Sequence, residues 1–187
     1  MEEEARFCID MAQEKMDKAI KHLEDELIRI RAGKATPNIL DGIFVDYYGV
    51  NTPLAKVSNI GTPDAKTIIV QPWDKTMLET IEKAILYANI GLTPMNNGEI
   101  IRLNIPPLTE ERRKTLVKQV KSMGENTKVS VRNARRDAND ELKKLQKNGL
   151  PEDVEKESTE QVQKMTDEYI HKIDVIVAGK EKDIMTV

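Results

Sequence analysis

The chain has 187 residues, with 29 Lys and Arg against 32 Asp and Glu and a net charge of -3. That balance belongs to ordinary globular proteins of one or two small domains. One cysteine, Cys8, excludes an internal disulfide and any zinc site built from several thiolates, and with 39% hydrophobic but 4% aromatic residues the core must come from Leu, Ile, Val, Met and Ala.

The chain opens with "MEEEARFCID", acidic where a signal or transit peptide would be basic. No apolar run approaches the roughly 20 residues of a spanning helix. A cytoplasmic protein in a reducing compartment, away from membranes, is expected. From Ala5 onward, Ile9, Ala12, Met16, Ile20, Leu23, Leu27 and Ile30 recur at steps of three and four, which predicts a long amphipathic helix. It should stop near "RAGKATPN", where Gly33 and Pro37 oppose continuation.

Residues 31–106 have a different texture, rich in Gly, Pro, Asn and β-branched residues, and read as an inserted α/β or β-rich unit. "GIFVDYYGV", "KTIIVQPW" and "EIIRLNI" are predicted strands, and Asp74 is a candidate cap for a short helix carrying Leu78, Ile81 and Ile85. The unit joins the rest through two connections that contain Arg31, Gly33 and Pro37 on one side and Asn104, Pro106 and Pro107 on the other. Prolines stiffen both, so a restricted hinge and a fixed corner are both compatible with the sequence.

After "PPLTEERRK", Thr109 suits an N-cap and Glu110 and Glu111 a first helical turn. The stripe Leu116, Val120, Met123, Thr127, Val131, Ala134, Ala138, Leu142 and Leu145 predicts a helix of about 40 residues, on the order of 60 Å long. "KNGLPED" ends it at Gly149 and starts another at Pro151, with the stripe Val154, Ser158, Val162, Met165, Tyr169, Ile173 and Ile176. The expected fold class is α+β: an elongated three-helix bundle of residues 1–30 and 107–187 around an insertion of residues 31–106. Gly124, inside the long helix, marks either a bend or a close approach.

On a helical wheel, Lys114, Lys118, Lys121, Lys128, Arg132, Arg135, Arg136, Lys143 and Lys147 fall in one sector of about 120°. Asp137, Asp140 and Glu141 fall on the other flank, and Glu125 is the only acidic residue inside the sector after Glu111. Mixed charges on a helix usually mean a solvated face. Segregated charge along tens of ångströms instead suits a polyanion, RNA or DNA, whose phosphates repeat along a backbone. The alternative is a helical adaptor whose basic stripe binds an acidic protein partner.

Catalytic constellations are missing from the pattern. His22 and His171 stand apart from any second ligand at metal spacing, no phosphate loop occurs, and no acid and base are singled out. No metal, no cofactor and no enzymatic activity are expected. Consecutive Tyr47 and Tyr48 in a strand should point one inward and one outward, and Trp73 beside Pro72 is expected in the core.

"IRAGKATPNILDGI", "DYYGVNTPL", "QPWDKTMLETIEKAI", "PPLTEERRK", "KVSVRNARRDAND" and "VQKMTDEYIHKID" span nearly the whole chain in order. In these segments the chain closely resembles the bacterial ribosome recycling factor family. Departures are small: Lys34 stands where arginine is frequent, and "LPEDV" replaces a serine-led helix start. The resemblance implies a three-helix bundle with a small β/α/β domain in an L-shaped outline. It implies a monomer that binds the 70S ribosome between its subunits, on large-subunit ribosomal RNA. Splitting then follows with elongation factor G, the partner that binds GTP. Carried over by position, the family's RNA-contacting arginines fall on Arg113, Arg132 and Arg135, with Arg136 and lysines such as Lys121 and Lys128 in support.

Overall fold

In the computed structural model residues 1–30 and 33–186 are described. They form two compact units, dividing between residues 30 and 31 and between 109 and 110. The second division lies three residues beyond the 106/107 boundary expected from the sequence. Leu108 explains the difference: it lies against Gly33, where an added Cβ would meet Leu108 Cγ at 3.0 Å.

The first unit is a bundle of α1 (Glu2–Arg29), α3 (Glu110–Lys147) and α4 (Glu152–Met185). α1 buries Ala5, Ala12, Met16, Leu23 and Leu27, while Ile9 and Ile20 are half-buried. α3 is 38 residues long, about 57 Å at the α-helical rise. Its buried face is Leu116, Val120, Gly124, Thr127, Val131, Ala134, Ala138 and Leu142. α4 buries Ser158, Val162, Thr166, Tyr169, Ile173 and Ile184. Thr166, absent from the predicted stripe, is tolerated because its hydroxyl donates back to Val162 O at 2.7 Å. Near the chain's first residues, Ala5, Ala12, Ala138, Leu142, Leu150 and Val162 form one cluster.

α3 ends in a Schellman motif. Gly149 has φ +113, Leu150 N–H donates to Leu145 O at 2.9 Å, and Gly149 N–H donates to Gln146 O at 3.1 Å. Leu150 then turns into the core, so the turn both stops α3 and aims α4 back along it. Farther up the bundle, Gly124 is a close approach: an added Cβ would lie 2.6 Å from Val177 Cγ2 on α4. On the third seam, the Tyr169 hydroxyl donates to Asp17 Oδ1, tying α4 to α1.

The second unit begins with a hairpin, β1 (Phe44–Tyr47) and β2 (Val50–Pro53). A four-stranded antiparallel sheet follows in the order β3 (Ser58–Asp64), β4 (Thr67–Pro72), β6 (Ile101–Asn104), β5 (Pro94–Asn96), with α2 (Leu78–Tyr87) between β4 and β5 in sequence. The core gathers Val45, Leu54, Ile68, Val70, Ile81, Ile85, Ile101 and Leu103. Asp74 caps as expected, accepting from Thr76 N–H at 3.0 Å. It opens a 3-10 turn, Lys75–Met77, that runs into α2.

Two aromatic expectations fail. Tyr48 is 74% exposed and Trp73 70% exposed. "GIFVDYYGV" is a hairpin rather than one strand: Tyr48 takes a left-handed turn conformation with φ 49, and Asp46 accepts from Gly49 N–H at 2.7 Å. In–out alternation therefore ends at Tyr47, which is itself exposed. Trp73 follows the last residue of β4, and although its backbone N–H still donates to Val57 O at 3.1 Å, its side chain lies outside the core.

Candidate nucleic-acid interface

The flank of α3 away from the bundle core carries the predicted cations, and its packing sorts them into two groups. Lys118, Lys121, Arg132, Arg136, Lys143 and Lys147 are exposed, and no salt bridge is found for any of them among the described residues. The others are committed. Lys114 pairs with Glu110 at 3.2 Å, one turn back. Lys128, with 16% of its side chain exposed, meets Asp174 Oδ1 of α4 at 2.6 Å and Glu125 Oε1 at 3.3 Å. The hydrogen bond to Asp174 holds its ammonium above the ordinary lysine pKa. A cation matched by two carboxylates adds little outward field.

Arg135 is half-buried beside α4, and its Nη1 donates to Gln163 Oε1 at 3.2 Å. Gln163 Nε2 donates in turn to Asp167 Oδ1 at 2.9 Å. The arginine is thus held in place by a neutral acceptor. Arg113 is elsewhere: it is half-buried, and its Nε is buried with no hydrogen-bond partner among the described residues. On the wheel it shares the angle of Val131 rather than that of Arg132, so the basic flank and the Arg113 position are separate features of α3.

The opposite flank of α3 is acidic, and two of its carboxylates are paired. Asp137 bridges to Lys15 of α1 at 2.9 Å, and Glu141 holds Lys144 at 2.6 Å. Acid–base pairs hold Asp137 and Glu141 on that side, while on the other the six exposed cations have no salt bridge among the described residues. A surface of this kind is suited to phosphates spaced along a backbone.

Of the predicted hinge residues, Arg31 lies outside the described residues. Pro37 is the first residue of a 3-10 turn, Pro37–Leu40. Asn104 closes β6, paired with Thr67. Pro106 and Pro107 are exposed and without regular structure. Gly33 takes φ +74 against Leu108. Both connections are fastened to the β3–β4 turn: Ala35 N–H donates to Ala65 O at 2.7 Å, and Ile105 N–H donates to Lys66 O at 2.8 Å.

Sequence reasoning missed Gln163, a neutral residue on another helix that carries no signal of its own. It also counted Lys114 and Lys128 as free, although Glu110 at i−4 and Glu125 at i−3 were legible as partners. The tie to Asp174 was not, because it needs the packing of α4 on α3. Among the described residues no group of three or more His, Cys, Asp or Glu is placed to hold a metal ion. Among the same residues no helix is long and apolar enough to cross a membrane.

Residues 23–185 match the family model described as ribosome recycling factor. The chain is 54% identical to the ribosome-recycling factor of Flavobacterium johnsoniae over 187 residues, covering all of both chains. It is 57% identical to that of Phocaeicola vulgatus over 184 residues, 98% of this chain and 99% of the relative. A solution structure of a ribosome recycling factor is similar with TM-score 0.80 and 36% identity, covering 98% of each chain. A second structure, at TM-score 0.62 and 41% identity, covers 97% of this chain and 99% of its own. It is described as models for the T. thermophilus ribosome recycling factor and the E. coli elongation factor G bound to the E. coli post-termination complex.

Proposed function

The chain belongs to the ribosome recycling factor family, and from that premise we propose that the unpaired flank of α3 is the surface by which it grips large-subunit ribosomal RNA. It is a non-enzymatic translation factor of ribosome recycling. Its partners are the post-termination ribosome and elongation factor G, which brings the GTP, and it works as a monomer in the cytoplasm, where bacterial ribosomes are.

The observation that carries the reading is the row of six exposed cations, Lys118, Lys121, Arg132, Arg136, Lys143 and Lys147, with no salt bridge among the described residues. Arg132 and Arg136 can meet phosphate in a bidentate fork, and the lysines act as point charges. Arg135 adds a held guanidinium, whereas Lys128 serves the α3–α4 seam. Splitting requires that the factor favour a subunit arrangement in which bridging contacts are weaker, since a ligand shifts an equilibrium only by its differential affinity. The proposed hinge lies on the bundle side of the fastenings at Ala35 and Ile105, so that the insertion moves as one body while the bundle stays on RNA.

Large-subunit binding measured across a salt series tests the reading. Six displaced phosphate counterions give a slope of log affinity against log salt of about −4 to −5. An affinity that stays flat from low to moderate salt would overturn it.

A further inference from the structure

We propose that Gln163 of α4 is a positioning residue for RNA binding: it fixes Arg135 through a neutral acceptor, so the guanidinium is oriented without being neutralised. The inference rests on the reading of the α3 flank as an RNA surface and adds a residue from another helix to it.

Two cations on the α3–α4 seam are treated in opposite ways. Lys128 meets carboxylates directly, Asp174 at 2.6 Å and Glu125 at 3.3 Å, and its charge is spent inside the protein. Two turns later, Arg135 has an acid within reach of the same seam, Asp167, but Gln163 stands between them. Its Oε1 accepts from Arg135 Nη1 at 3.2 Å and its Nε2 donates to Asp167 Oδ1 at 2.9 Å. The two bonds also fix the amide's orientation, because the reverse would set an NH2 against the guanidinium and an oxygen against the carboxylate. Asp167 therefore orients the amide, the amide orients the arginine, and the carboxylate stays one side chain away from the cation. A guanidinium has five N–H donors, so one bond to Gln163 leaves the fork available to a phosphate, and the loss of side-chain freedom on binding is already met in the free protein.

The test uses the full-length protein and purified large ribosomal subunits across a salt series. Gln163→Glu is near in shape and places a carboxylate on Arg135. The expected result is binding weakened about tenfold, with the salt slope reduced by about one, as for loss of one phosphate contact. Gln163→Met keeps the shape, releases Arg135 and leaves its charge. It should weaken binding by about threefold with the slope unchanged, since orientation is lost and the ionic contact is not. Helical content is recorded for every variant, and Arg132→Ala and Arg135→Ala are run beside them. If Gln163→Glu binds as wild type while both arginine variants weaken, the positioning role is wrong and the RNA surface stands. Equal slope losses in the Glu and Met variants also overturn it, because neutrality would then be irrelevant. If none of the four variants changes binding, the RNA surface itself is wrong, and the positioning role goes with it.

Discussion

Replacing Gly124 with alanine sets two effects of known sign against each other. In a helix interior alanine is favoured over glycine by about 1 kcal/mol. The added methyl would lie 2.6 Å from Val177 Cγ2 and 3.7 Å from Val177 Cβ, whereas carbon atoms sit best at about 3.5–4.0 Å. Val177 has little freedom to yield, because a β-branched side chain on a helix is held near one rotamer. Overpacking of this kind costs about 1–3 kcal/mol, so Gly124→Ala is expected to destabilise the bundle by about 1 kcal/mol net. In a Val177→Ala background the clash is gone and the same substitution should stabilise by about 1 kcal/mol. The coupling in the double-mutant cycle is then about 2 kcal/mol. Urea titrations followed by helical circular dichroism on the four proteins measure it. If Gly124→Ala is stabilising with Val177 present, the close approach does not limit the packing and the reasoning is wrong.

Tyr169 predicts an alkaline dependence. Burial, reinforced by the hydrogen bond to Asp17, pushes its phenol from 10.0 up to about 12. The fold therefore favours the protonated form, which contributes in full below pH about 10 and is lost as pH rises through about 12, at most about 3 kcal/mol. Tyr169→Phe should be less stable than wild type at neutral pH, with the gap closing over that window, and parallel urea midpoints would refute this. Arg132→Ala should lower large-subunit affinity and the salt slope by about one while stability stays within about 0.5 kcal/mol, because the side chain is exposed. Ala138→Asp, at a position 5% exposed in the core, should unfold the bundle. A crosslink joining the two units, made in a Cys8→Ser background, should leave ribosome binding intact and abolish subunit separation with elongation factor G and GTP. Full recycling by completely crosslinked protein would remove the hinge.

The helices were legible because each stripe repeats at three and four residues for about six turns or more. α3 ended where Gly149 and Pro151 said it would. The insertion was harder to read. β3 contains Gly61 and Pro63 and shifts register between Gly61 and Asp64, which removes the alternation that marks a strand. β5 has three residues, too few for a period. Tyr48 occupies a turn position usually given to Asn or Gly, with Asp46 supplying the hydrogen bond that stabilises it. At the candidate interface, the wheel told the two flanks of α3 apart but treated every lysine on one flank as equal. Only the packing of α4 distinguishes Lys128, matched by Asp174, from Arg132, which faces solvent.

The two fastenings on the β3–β4 turn also bear on how the protein is made. α1 leaves the ribosome first, and its buried residues Ala5 to Leu27 have no partner until α3 and α4 follow the whole insertion. At about 5–20 residues per second that wait is on the order of 4–16 s. The insertion is complete before α3 begins, and once folded it holds Ala35 and Ile105 beside neighbouring residues, Ala65 and Lys66. The loop that α1 must close to reach α3 then shrinks from the full insertion to roughly ten residues, which lowers the entropy cost of closure by about 2 kcal/mol. During synthesis the insertion acts as a clasp, bringing the first helix back to the two that complete its core.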